Sequence, residues 1–279
     1  MYKSKQEFVQ VNGREIYVNL VGEGEAIIFL HGGPGSSHAF FLPHVLPLSE
    51  KFQLVLYDQN GCGKSGILEK SEYSMKDEVK TLDLLRQELS LHKLNIFGES
   101  WGSMLALLYA TEYPENVNKL FLTAAIGVDA TGYQQFKKEL LKRLSFQDKV
   151  KLFLTDRKVK KGKASVEEVL KVIDPYYVYK KDYVKNKDQT PINREVNDQI
   201  GTDIHKHYSL VPKIHRLSNI PILVAQGSHD ILNPTNIKAL LLDYIPHARL
   251  FEIEECGHWT VVEKSEEINS LVVDFFSER

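Results

Sequence analysis

Sulfur is scarce in this 279-residue chain, which has two cysteines, Cys62 and Cys256, and three methionines. Two thiols so far apart make no disulfide framework, and reduced thiols in a cytoplasmic protein are the simpler expectation. There is no Cys-x-x-Cys pair and no His-Glu-x-x-His, so neither a metal site nor a cofactor is expected. An excess of charge of one sign is also missing: 37 acidic residues stand against 35 basic ones, for a net charge of -2. No global field therefore points to nucleic acid or to an anionic membrane as partner. No apolar run approaches the roughly 20 residues of a membrane-spanning helix. The opening "MYKSKQEFVQ" lacks the apolar stretch of a signal peptide. No repeat recurs at a fixed period.

What is present is a 43% hydrophobic chain, enough for a sizeable core. Asn12-Gly13 between "EFVQV" and "REIYVNLVG" reads as a hairpin turn. "AIIFL" (26–30), "QLVLY" (53–57), "KLNIF" (93–97) and "KLFLTAA" (119–125) read as short strands, the first two continuously apolar as in a sheet covered on both faces. Helices are expected over 74–91, with Ser74 as N-cap, and over "WGSMLALLYATEYP", ending before Pro114. From about Gly127 to Ser218 the pattern turns helical and rich in Lys, Glu and Tyr, with a charge run at 158–165. Strands resume at "PILVAQG" (221–227) and "ARLFEIE" (248–254), with a helix after Pro234 and a last one from about Ser265 to Phe276. Strands alternating with helices predict an α/β fold with a mostly parallel sheet. Residues 1–126 and 219–279 would form its core, and 127–218 an inserted helical cap.

The stretch "FGESWGS" then stands out. Ser100 follows a strand, opens a helix, and lies between Gly98 and Gly102. So sharp a turn exposes the serine, and the small flanking residues let strand and helix approach. A serine hydroxyl needs a base, and the base needs an orienting acid. Asp230 in "GSHD" and His258 in "CGHW" each follow a strand in the expected order, while the other histidines, His205, His207, His215, His229 and His247 among them, lack that position. Trp101 and, in "HGGPG" (31–35), Gly33 are the candidates for amides facing an oxyanion.

Together "HGGPG" (31–35), "DQNGCGKS" (58–65), "GESWGS" (98–103), "GSHD" (227–230) and "GHW" (257–259) resemble the α/β-hydrolase fold, and more narrowly the proline iminopeptidase group of serine peptidases. The resemblance covers 1–125 and 220–279. It implies a mostly parallel sheet flanked by helices, with an inserted helical cap. It also implies Ser100 as nucleophile, Asp230 as acid, His258 as base, Gly33 and Trp101 as oxyanion donors, and structural roles for His31, Asp58 and Glu263. The substrate would be a small molecule or short peptide; the oligomeric state is left open. The chain departs from the group at Asn60, where Arg is usual, and at Glu99, where Gly is usual. An aminopeptidase must also hold a substrate ammonium, and Asp203, Glu195, Glu167 and Glu168 are the cap acids available for that. Two further readings stand beside it. One is a carboxylesterase or lactonase with an apolar pocket lined by residues such as Phe40, Phe41, Trp259 and cap tyrosines; the aromatics at 176, 177, 179 and 183 fit either reading, and packing within the cap is their simpler role. The other is a non-catalytic receptor on a hydrolase scaffold.

Overall fold

The computed structural model describes residues 3–67, 72–187 and 190–278. β1 (Ser4–Val11) and β2 (Arg14–Val21) form the expected hairpin. Its turn residues Asn12 and Gly13 have φ of 51° and 75°, the left-handed pair that a two-residue hairpin turn needs. The sheet continues with β3 (Glu25–Leu30), β4 (Phe52–Tyr57), β5 (Leu94–Glu99), β6 (Val117–Thr123), β7 (Ile222–Gly227) and β8 (Arg249–Ile253). Its order is β1-β2-β4-β3-β5-β6-β7-β8, with β1 and β2 antiparallel to their neighbours and β3 through β8 parallel.

The apolar runs have the physical cause inferred for them, because both faces of the sheet are covered. Along β3, Ile28 and Leu30 join one core cluster while Ile27 and Phe29 join the other, as the two-residue period of a strand requires. In register across three strands, Phe29, Phe97 and Phe121 stack at 5.0 and 5.2 Å between ring centres. One face is covered by α1 (Met75–Glu88) and α2 (Trp101–Glu112), the other by α9 (Ser265–Ser277) through Val272, Phe275 and Phe276. Ser74 caps α1 as expected, its Oγ accepting from the Asp77 amide at 3.2 Å.

Between β6 and β7 lie α3 (Ala130–Arg143), α4 (Phe146–Lys160), α5 (Val166–Ile173) and α6 (Arg194–His207). The charge run at 158–165 is the end of α4 and a turn through Gly162, whose φ is 65°. After Pro234 the expected helix is only one turn, α7 (Pro234–Ile237), which widens into a π-turn over Lys238–Leu242. The short α8 (Thr260–Glu263) precedes α9. The chain leaves the carboxyl ends of β3, β4, β5, β7 and β8 in the five motif loops, so all five open on one edge of the sheet, where ligands of parallel α/β sheets bind.

Candidate active site

Ser100 is built by steric necessity. Its φ of 53° and ψ of -114° are unfavourable for a residue with a Cβ, and it is held there by β5 below and α2 above. A Cβ on Gly98 would meet the Gly102 carbonyl oxygen at 2.5 Å, and one on Gly102 would meet the Leu30 carbonyl oxygen at 1.9 Å. The two glycines are therefore the condition for packing the first turn of α2 against the end of β3.

From Ser100 Oγ the structure runs 2.9 Å to His258 Nε2, and 2.8 Å from His258 Nδ1 to Asp230 Oδ1. This network assigns the ring proton to Nδ1, donated to the carboxylate, and leaves Nε2 to accept from the serine hydroxyl. Asp230 is fully buried and accepts as well from Gln226 Nε2 at 2.8 Å and the Leu232 amide at 3.2 Å. Burial is the largest single influence on His258 and disfavours its cation. The Asp230 charge and hydrogen bond, with Glu99 nearby, more than offset this, so the imidazole is a stronger base than an ordinary histidine. The residues expected from the sequence to act together are thus within hydrogen-bond reach of each other.

The loops around them are tied by side chains that carry no nucleophile. The Trp101 indole donates to Gln59 Oε1 at 2.8 Å, Gln59 Nε2 donates to the His31 carbonyl at 3.0 Å, and the Gln59 amide donates to His31 Nε2 at 3.2 Å. His31 is fully buried, and burial lowers its pKa to about 4, which keeps it a neutral acceptor. Asp58 accepts from the His38 and Lys64 amides, both at 2.8 Å, capping its Gly-rich turn. Asn60, at the position where Arg was expected, is buried and exchanges hydrogen bonds with Thr81. Glu263 accepts from the Gly257 amide at 3.0 Å and the Tyr179 amide at 2.7 Å, joining the histidine loop to the chain leaving α5. The His258 amide donates to the Tyr177 carbonyl, and Arg143 at the end of α3 donates to the His229 and Asp230 carbonyls. Sequence alone does not single out Gln59, although it lies within the 58–65 motif, nor Arg143, which nothing local marks.

Above Ser100 lies a cavity of about 370 Å³. Gly33 and Trp101 line it, as do Phe40, Trp259 and Tyr177. Gly33 has φ of 48°, a conformation suited to glycine. Phe41, expected in this wall, is instead wholly buried beneath it, edge-on to Phe29 and Phe97, because the turn that exposes Phe40 drives its neighbour into the core. Of the four tyrosines only Tyr177 lines the cavity among the described residues. Tyr176 donates to Asp148, and Tyr179 packs on the His229 ring.

The cap acids named as candidates for a substrate amine do not line the cavity. Asp203 accepts from the Met75 amide and His207, Glu195 accepts from Gln199, and Glu167 and Glu168 serve the first turn of α5. Among the described residues two other acids do line it. Asp174 is paired with Lys187 at 2.8 Å. Glu99, only 3% exposed, sits beside the serine with the Gly32 amide as hydrogen-bond partner. Burial, reinforced by Asp230 and opposed by His258, raises its pKa to about 7. A Cβ on Gly32 would fall 1.9 Å from Glu99 Oε2, so the carboxylate fits only because residue 32 is glycine. The thiols of Cys62 and Cys256 are buried, and burial holds both protonated.

A family model described as the alpha/beta hydrolase fold matches residues 25–265. Proline iminopeptidase of Lactobacillus helveticus is 27% identical over 95% of this chain and 95% of its own length. That of Lactobacillus delbrueckii subsp. bulgaricus is 28% identical over 99% and 98%. Among solved structures, an alpha/beta fold family hydrolase from Bacillus anthracis superposes with a TM-score of 0.77 at 21% identity, covering 98% of this chain and 99% of its own. A 2-hydroxy-6-oxo-6-phenylhexa-2,4-dienoate hydrolase from Rhodococcus does so with 0.73 at 20%, both chains being covered in full.

Proposed function

The chain belongs to the α/β-hydrolase family, and within it we propose that the protein is a serine hydrolase of the proline iminopeptidase type, releasing a small N-terminal residue from short peptides. The observation that carries this is the hydrogen-bonded line from Asp230 through His258 to Ser100 at the floor of the cavity. Ser100 attacks the scissile carbonyl while His258 takes its proton. Asp230 keeps the ring in the Nδ1–H tautomer and stabilises the imidazolium. The amides of Gly33 and Trp101 receive the oxyanion, and His258 returns the proton to the leaving amine. Water then repeats the sequence on the acyl-enzyme.

The amine requirement finds a candidate in Glu99. An α-amine lies only about 2.5 Å from its carbonyl carbon by covalent geometry. An acid that grips it must therefore stand next to the nucleophile, and Glu99 is the neighbouring residue. The relatives named proline iminopeptidase support the same reading. Residues 127–218 act in it as a cap over a core of 1–126 and 219–279: α3 supplies Tyr133, Phe136 and Leu140 to the cavity wall, and α5 supplies Val166, Val169 and Leu170. Those apolar side chains favour the second reading, an esterase for small acyl groups.

The test sets a prolyl amide with a free amine beside a short acyl ester, each with the wild type and with Ser100→Ala. Amide turnover lost in the variant is the expected result. Ester turnover alone would move the assignment to esterase, and binding with negligible turnover would make the protein a receptor. Activity retained by Ser100→Ala would overturn the mechanism.

A further inference from the structure

The near-zero net charge of the whole chain conceals a local imbalance. Residues 137–163 carry eleven basic side chains against three acidic ones, so the remainder of the molecule is acidic. The same stretch contains α4, whose outward face is apolar. Phe146 is 81% exposed, Val150 44%, Phe153 60% and Leu154 51%, at the i, i+4, i+7, i+8 spacing of one helix face. Leu141 at the end of α3 adds a further exposed side chain at 49%. The inward side of α4 is occupied by Val159 and Leu152.

Cations border the stripe on both sides. At 100° per residue, Lys149 and Lys160 fall on one flank, and Lys151 and Lys158 on the other, all exposed. Arg157 lies within the stripe, stacked on the Phe153 ring at 5.6 Å. Of the two acids of α4, Asp148 falls on the far side, accepting from Ser145 and Tyr176, whereas Asp156 lies on the Lys149 flank and pairs with Lys160, so the Lys151–Lys158 flank is the more strongly basic. Exposed Lys161 and Lys163 extend the basic border past the helix end.

We propose that α4 docks the protein on an anionic lipid surface, its Phe146–Val150–Phe153–Leu154 stripe entering the acyl boundary and the flanking lysines meeting lipid phosphates. Charge complementarity selects that occupant. The apolar face is a convex ridge with lysines on both shoulders. At a bilayer interface long lysine stems lie along the apolar layer and their ammonium groups rise to the headgroups. A second copy of this chain would bring the same cations against each other across a two-fold axis. Since α4 packs on α5, which lines the cavity, docking would set the outer wall of the cavity at the interface.

Co-sedimentation with vesicles tests this directly. The protein is mixed with pure phosphatidylcholine vesicles and with vesicles containing 30% phosphatidylglycerol, at low salt and at 0.5 M salt. Binding to the anionic vesicles alone, weakened by salt, is expected. Each lysine near the surface contributes about fivefold to partitioning, so Lys151→Glu with Lys158→Glu should lower it at least tenfold. Phe146→Ser with Phe153→Ser should lower it comparably. Both double variants should keep the wild-type circular dichroism and turnover of a soluble ester, since neither touches the cavity. Absence of anionic-vesicle binding at millimolar lipid overturns the proposal. So does a concentration-dependent dimer in light scattering that the phenylalanine variant abolishes, which would assign the stripe to self-association. Capture by an acidic polypeptide with no vesicle binding would do the same.

Discussion

Replacing Glu99 by Gln separates the two jobs that its position permits. Glutamine keeps the volume and an acceptor oxygen for the Gly32 amide, but removes the negative charge from the cavity floor. If that charge grips a substrate ammonium at 3–4 Å, the attraction at an effective dielectric near 20 is about 4–5 kcal/mol. Desolvating the ammonium offsets part of it. Removing one partner of a buried charge pair then leaves a loss of about 2–3 kcal/mol, or about 30–150-fold in kcat/KM. The loss should fall on prolyl amides with a free amine, while a short acyl ester without an amine changes by less than about threefold. The pH dependence carries a second signature. Because burial raises Glu99 to about 7, its charge develops as pH rises through neutrality. The amine loses its own charge above about 8. The amide-to-ester ratio in the wild type should therefore rise through pH 7 and fall above pH 8, and the glutamine variant should lose the rising limb. Equal losses on amide and ester would refute the amine argument and leave Glu99 as a support for the Gly32 loop.

Two further substitutions probe the frame beneath that chemistry. Gly102→Ala puts a methyl group 1.9 Å from the Leu30 carbonyl oxygen, forcing α2 off β3; calorimetry should show a loss of about 2–4 kcal/mol, roughly 3–7 °C in Tm, and ester turnover should fall below about 1% of wild type. Glu78, 1% exposed, has its pKa raised to about 8 by burial. The folded chain thus holds that proton more tightly than the unfolded chain, and stability drains away as pH climbs from about 4.5 to 8. Glu78→Gln should change Tm little at pH 5 and raise it by about 3–7 °C at pH 8.5, about 2–4 kcal/mol; a gain of equal size at both values would contradict the assignment.

The parts of the site that could be read from the sequence are those whose causes are local. Ser100 is recognisable because the close packing of α2 on the strand ends demands glycine two residues away on each side, within five letters. Asp230 and His258 are recognisable because each lies in a Gly-containing loop a few residues after a strand, in the chain order serine, acid, histidine. The resemblance places an acid for a substrate amine in or near the cap, but Asp203 answers to an amide of α1 and Glu168 to the start of its own helix. Glu99 was visible only as a departure from a familiar motif. Its meaning needs Gly32, brought alongside by the pairing of β3 with β5. Phe41 was misplaced for a related reason: two adjacent phenylalanines in a turn face opposite ways, and composition alone does not say which. The widened turn after Pro234 has no signature in its residues either, since "NIKALLLDY" would suit a regular helix.

The grip of Arg143 on the carbonyls of residues 229 and 230, the bond from the His258 amide to Tyr177, and the Glu263 bridge to Tyr179 all cross from the inserted helices to the loops bearing Asp230 and His258. Anyone wishing to graft a foreign specificity segment onto this scaffold therefore inherits a constraint. The donor segment must arrive with an arginine at the end of its first helix and with backbone groups placed where residues 177 and 179 now stand. A chimera joined at 127 and 218 without them would keep Ser100, Asp230 and His258 and still have its histidine loosely held.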